Sequence, residues 1–270
     1  MIQAVRRTFK VYGAIATIAP KEFLTYRSWF WIGMILNVIA MTIFVFFWKA
    51  VYANTSTIGG MDLQQTLNYI LLARILTPLT DMNMIFEFGY NLREGAMAIV
   101  LLRPLSLQGT YYVYTFTHMV MFLVWEIPMA LIATFVFGLQ WPTSLAIWGA
   151  FLVTAILGRT VLFFFDWILG CLTFYTTEVW GLGVLVEGIS AFFSGSLVPL
   201  VMMPGWLQTL THTLPFAQAL YAPLSVLTGI VPLSQVWQVW LAQLAWIAGL
   251  GLASQMVFHI AIRKVTIQGG

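Results

Sequence analysis

Long apolar runs, broken only by short charged or proline-rich interruptions, constrain what this chain can fold into. The run from about Trp29 to Tyr52 is long enough to cross a bilayer, because roughly 20 apolar residues in a helix span the hydrocarbon core. Further runs follow at about 63–88, 110–138, 145–174, 181–199 and 235–261. Only 8 % of the residues are charged and 61 % are hydrophobic, whereas a soluble domain carries about 25 % charged residues. Polar side chains are too few to cover a globule in water. The reading is an all-α, polytopic membrane protein with six transmembrane helices, residues 1–270 forming one domain. A net charge of +3 gives no reason to expect a nucleic-acid partner, and membrane lipids are the expected surroundings.

The basic residues set the topology. Arg6, Arg7, Lys10, Lys21, Arg27, Arg93, Arg103, Arg263 and Lys264 fall on one side of a six-span arrangement, and only Lys49 lies near the other. Cytoplasmic segments are the ones enriched in Lys and Arg, so both termini are expected in the cytoplasm and the protein in the cell membrane. Ile2, Val5, Phe9, Tyr12 and Ala16 share a helical face, with Arg6, Arg7 and Lys10 elsewhere. Residues 1–28 therefore read as an interfacial amphipathic helix, interrupted at Pro20. They lack the compact apolar core and small-residue cleavage site of a cleavable leader.

Two interruptions differ from simple loops. In residues 91–105, Arg93, Glu94 and Gly95 open the segment and Arg103 with Pro104 closes it. Met97, Val100 and Leu101 between them have helical spacing, which predicts a brief amphipathic helix at the membrane surface. A soluble partner is the best reason for such a helix on this chain. In residues 199–232, Pro199, Pro204, Pro215, Pro223 and Pro232 recur without any Lys, Arg, Asp or Glu. One spanning helix cannot survive that many prolines; short re-entrant or interfacial helices on the outer side are expected.

Several ionisable residues fall inside the spans: Arg74, Asp81, Glu126, Arg159, Asp166 and Glu187. A charge at membrane depth is unfavourable by about 2.5–3.5 kcal/mol on insertion scales, so each should face protein or water. They line a translocation path, or they staple helices together. Arg74 and Asp81 are seven residues apart, as are Arg159 and Asp166. Seven residues advance about 10 Å along a helix, so partners must come from other spans. Glu126 precedes Pro128 and marks a kink. Gly181, Gly183 and Gly188 allow close helix packing. His118, His212 and His259 are scattered, and Cys171 is the single cysteine, so no metal site or internal disulfide is expected. No nucleophile–base set points to an enzyme.

Taken together, the basic N-terminal helix, "LREGAMAIVLLRPL" between spans two and three, "SGSLVPLVMMPGWLQTLTHTLPF" after span five and the terminal "IRKVTIQGG" resemble the permease subunits of type-2 ATP-binding-cassette (ABC) transporters. That resemblance implies an exporter subunit. It identifies residues 1–28 with the elbow helix, 91–105 with the coupling helix, and 199–232 with the re-entrant region. Arg93, Glu94, Gly95, Leu102, Arg103 and Pro104 would then contact the ATPase. It further implies two ABC ATPase subunits carrying ATP and Mg, and a second permease, identical or related. The chain itself has no phosphate-binding loop and no Gly-Lys pair, and no cofactor is expected in it. Two other readings fit the same residues: an ion-coupled transporter using Glu126 or Glu187, and a membrane scaffold for a partner enzyme.

Overall fold

A computed structural model describes residues 13, 17, 27–102, 105–176 and 179–264. All its regular elements are helical apart from one isolated β-bridge, Ile58 to Met61. The interfacial helix expected over 1–28 lies outside the described residues, except for Gly13, Thr17 and the first turn of helix α1.

Helix α1 is Arg27–Val51, α2 Leu63–Ile75, α3 Met84–Arg93 and α4 Ala96–Leu101. Then come α5 Leu107–Trp125, α6 Ile127–Phe137, α7 Leu145–Cys171 and α8 Val179–Phe193. The chain finishes with α9 Gly205–His212, α10 Pro215–Ala219, α11 Tyr221–Leu227 and α12 Val236–Ala261. Among the described residues, four stretches are long and apolar enough to cross a membrane: Trp31–Asn54, Leu107–Phe137, Leu145–Phe174 and Leu233–Lys264. The expected fifth span appears as the apolar α8, which has 15 residues.

The expected second span, 63–88, is not one helix. Its start is well specified: Asp62 Oδ1 accepts from the Gln65 amide at 2.8 Å, and Gln65 Oε1 accepts from the Asp62 amide at 3.0 Å. These reciprocal bonds satisfy two otherwise orphaned donors. Pro78 then lacks the N–H that would continue the ladder. The chain passes into a 3-10 turn, Thr77–Thr80, and an extended Asp81 before α3 starts.

At Glu126 the outcome is gentler. Its amide bonds the Phe122 carbonyl (3.0 Å), and its carbonyl accepts from Ala130 (2.8 Å). The ladder therefore runs from α5 into α6 around the missing Pro128 donor.

Helix α7 is the central post. It packs against α3, α10, α11 and α12, and its buried residues include Arg159, Asp166 and Trp167. By contrast, α1 leaves Trp31, Ile35, Leu36, Ile39, Ile43 and Phe46 exposed. An apolar surface of that kind suits lipid or another apolar partner.

The proline-rich region forms short helices, as its sequence predicts, yet much of it is deeply packed. Every residue of α10 and α11 is buried, and both helices lie on α7. The approach is close enough that a Cβ at Gly158 would collide with the Gln218 carbonyl. Gln243 on α12 ties the contact together, its amide donating to the carbonyls of Thr154 (3.0 Å) and Gln218 (3.1 Å). Irregular backbone at membrane depth survives where protein groups satisfy it. Of the small residues expected to aid packing in span five, Gly183 sits against the Phe86 ring, while Gly188 faces open space.

Candidate functional site: two polar cavities at the break between α2 and α3

The six ionisable residues expected within the spans converge on two cavities. One, of about 500 Å³, is lined by Arg74, Asp81, Glu126 and Glu187, with Asn37 and Ser190 beside them. The other, of about 350 Å³, is lined by Asp81, Arg159 and Asp166, with Glu87, Tyr111 and His118. Pro78 and Asp81 contribute to both walls. The break at Pro78 thus separates two polar spaces, and the extended Asp81 is the seam between them.

The charges on α7 secure this seam. Arg159 is 4 % exposed, and its Nη1 donates to the Asp81 carbonyl at 2.7 Å. Asp166 is 2 % exposed, and its Oδ2 accepts from the amides of Asn83 (3.1 Å) and Met84 (3.2 Å). These are the first amides of α3, which have no partner within that helix. An anion there also meets the positive end of the helix dipole. Asp166 therefore caps α3 from a different helix. Within the break, the Asn83 side-chain amide donates to Asp81 Oδ2 at 2.7 Å. For Arg159 and Asp166 the geometry is that of interhelical staples, each bonded to backbone on the α2–α3 connection.

The larger cavity is differently built. The Arg74 guanidinium lies 4.5 Å from the Phe44 ring centroid, a cation–π arrangement that gains strength where water is excluded. Asn37 Nδ2 donates to both carboxylate oxygens of Glu126, at 3.3 and 3.2 Å. Asn37→Ala should remove that support and lower stability by about 1.5 kcal/mol, the low end for a hydrogen bond to a charged group. Thermal unfolding of the two proteins in the same nanodiscs checks this, and equal melting temperatures would refute it. In the smaller cavity, Glu87 Oε1 accepts from Asn91 Nδ2 (3.1 Å) and the Tyr111 hydroxyl (3.4 Å).

Sequence reading did not single out Asn37 or Asn83. Neither residue is charged; their only signal is polarity within an apolar run, or closeness to Asp81.

The described residues of 93–102 line neither cavity. Arg93 lies in the last turn of α3 and Glu94 caps it. Gly95 has φ +68°, a conformation that favours glycine, and it turns the chain into α4. Met97 is buried with Phe88, Tyr111 and Trp167, and Val100 and Leu101 pack against that cluster. Ile99 is 65 % and Leu102 85 % exposed. The described helix covers six residues, fewer than the whole segment; Arg103 and Pro104 lie outside the described residues.

Among curated proteins none matches the chain. The family profile described as ABC-2 family transporter protein, however, matches residues 38–269, which contain the four apolar spans almost entirely and both polar cavities except for Gly33 and Asn37. This multi-pass, all-helical membrane protein belongs to the ABC-2 transporter family.

Proposed function

We propose that the chain is the permease subunit of an ABC exporter, forming a translocation path and driven by a separate ATPase. The observation that carries the reading is the family match over residues 38–269 in a sequence without a phosphate-binding loop of its own. ATP and Mg would then be held by two partner ATPase subunits, and a second permease would complete the membrane part. Six crossings with both termini cytoplasmic follow if α2–α3 and α8 each count as one, in line with the basic residues gathered on one side.

On this reading the segment around α4 is the coupling helix. Support comes from its amphipathic packing, with Met97 inward and Ile99 and Leu102 outward. Arg93, Glu94, Gly95, Leu102, Arg103 and Pro104 would make the ATPase contact. The cavities at the α2–α3 break supply the polar part of the path, with Arg74, Asp81, Glu126 and Glu187 in contact with cargo or water. Arg159 and Asp166 act behind them by holding the break in shape.

The test is affinity co-purification from native membranes, comparing wild type with Arg93→Glu plus Arg103→Glu. An ATPase should accompany the wild type and be lost from the double variant. Its absence from folded wild-type protein would refute the exporter assignment. A second reading, ion-coupled transport, draws on Glu126 and Glu187 facing one cavity. It predicts cargo movement that persists without the ATPase and follows the proton gradient.

A further inference from the structure

A third cavity, of about 490 Å³, shares no lining residue with the two polar cavities. It opens where the loop between α1 and α2, the loop between α6 and α7, and the chain after α11 come together. Its lining includes Gln65, Asn68, Gln140, Trp141, Gly59 and Gly229, and no Lys, Arg, Asp or Glu.

We propose that this cavity binds an uncharged, hydroxyl-rich ligand: a glycosyl group, either free or as the headgroup of a glycolipid. The chemistry of the lining selects that class. A charged headgroup would have no counter-ion among these residues, and an acyl chain would leave the amides without partners.

The amides are open to such a ligand. Gln65 uses its Oε1 on the Asp62 amide (3.0 Å), which leaves the two Nε2 hydrogens. Asn68 uses its Oδ1 on the Gln140 amide and on Gln64 Nε2, both at 3.2 Å, and keeps its own Nδ2 hydrogens. The Gln140 side chain is exposed and makes no hydrogen bond among the described residues. Side-chain amides both donate and accept, which matches hydroxyl groups that do the same.

An aromatic wall completes the site. The indole of Trp141 stacks on Trp148, with centroids 5.8 Å apart and planes at 24°. Trp141 Nε1 donates to Thr134 Oγ1 at 2.8 Å, and Trp148 Nε1 donates to the Pro142 carbonyl at 3.0 Å. Both indoles are thus fixed in orientation before any ligand arrives, which limits the entropy lost on binding. The apolar C–H face of a sugar ring packs on such a surface while its hydroxyls reach the amides. Another part of the lining is held close: at Gly59 (φ +58°) a Cβ would stand 2.8 Å from the Val201 carbonyl oxygen.

The experiment uses the full chain in phospholipid nanodiscs, with two probes: free maltose, and a monoglucosyl diacylglycerol included in the bilayer. Binding is read by isothermal titration for maltose and by native mass spectrometry for the glycolipid. Saturable binding of either probe is expected. Binding of both assigns the site to glycosyl groups in general, and binding of the glycolipid alone assigns it to a lipid headgroup. Trp141→Ala should weaken binding about tenfold, the upper end of one aromatic contact. Gln140→Ala, an exposed position that should fold normally, should weaken it by about threefold. No saturable binding of either probe overturns the proposal, as does binding that both variants retain in full. Since co-purification of an ATPase is measured separately, failure here leaves the exporter reading standing.

Discussion

Asp166→Ala should destabilise the protein by about 3–5 kcal/mol, the range for removing one partner of a buried charge arrangement. The carboxylate accepts the Asn83 and Met84 amides that open α3. It also acts electrostatically on the buried Arg159. Alanine would leave those amides uncapped at membrane depth and the guanidinium less well compensated. Asp166→Asn keeps an acceptor oxygen while losing the charge, so its effect should lie between wild type and alanine. Thermal unfolding in nanodiscs, followed by circular dichroism, reads the order directly. An alanine variant that melts with the wild type would show that Asp166 is not a staple.

Gly158→Val should be nearly as damaging, by about 3 kcal/mol, the upper end of ordinary overpacking. A Cβ at 158 would overlap the Gln218 carbonyl and crowd Ala219 Cα. Flexible side chains could turn aside, but these are backbone atoms. Helix α10 must shift, and the Gln243 bonds to Thr154 and Gln218 must lengthen or break. Gly149→Ala on the same helix is the control. No atom lies within 4 Å of its added Cβ, and alanine favours a helix over glycine by about 1 kcal/mol. It should be neutral or stabilising. Equal losses at the two positions would mean that the close contact at Gly158 does not set the effect, since helix propensity favours both changes.

The sequence made the main architecture legible. The apolar runs gave the long helices α1, α5–α6, α7 and α12, and the repeated prolines gave the short helices after residue 199. The break in the second run had a local signal, Pro78 followed by Asp81 and Asn83. It was masked by the apolar residues of 63–76, which read as the start of a span. Burial of α10 and α11 was not legible, because an uncharged apolar segment looks the same whether it faces lipid or protein. For the site, the rule that intramembrane charges seek protein or water led to six residues that line two adjoining cavities. It could not divide them by role. That Asp166 caps a helix it does not belong to depends on how α7 lies against α3, and no spacing along the chain encodes that.

The central position of α7 bears on the order in which a nascent chain can settle into a bilayer. Its ionisable groups find their partners in Asp81, Asn83 and Met84, all synthesised earlier. Arg159 Nη1 and Asp166 Oδ2 can therefore meet their partners as soon as α7 leaves the insertion machinery. A neighbouring face, at Thr154 and Gly158, waits for Gln218 and Gln243, which emerge later. Pairing of the charged groups of α7 thus precedes its contacts with Gln218 and Gln243, and the post is anchored in the membrane before the rest of the bundle is made.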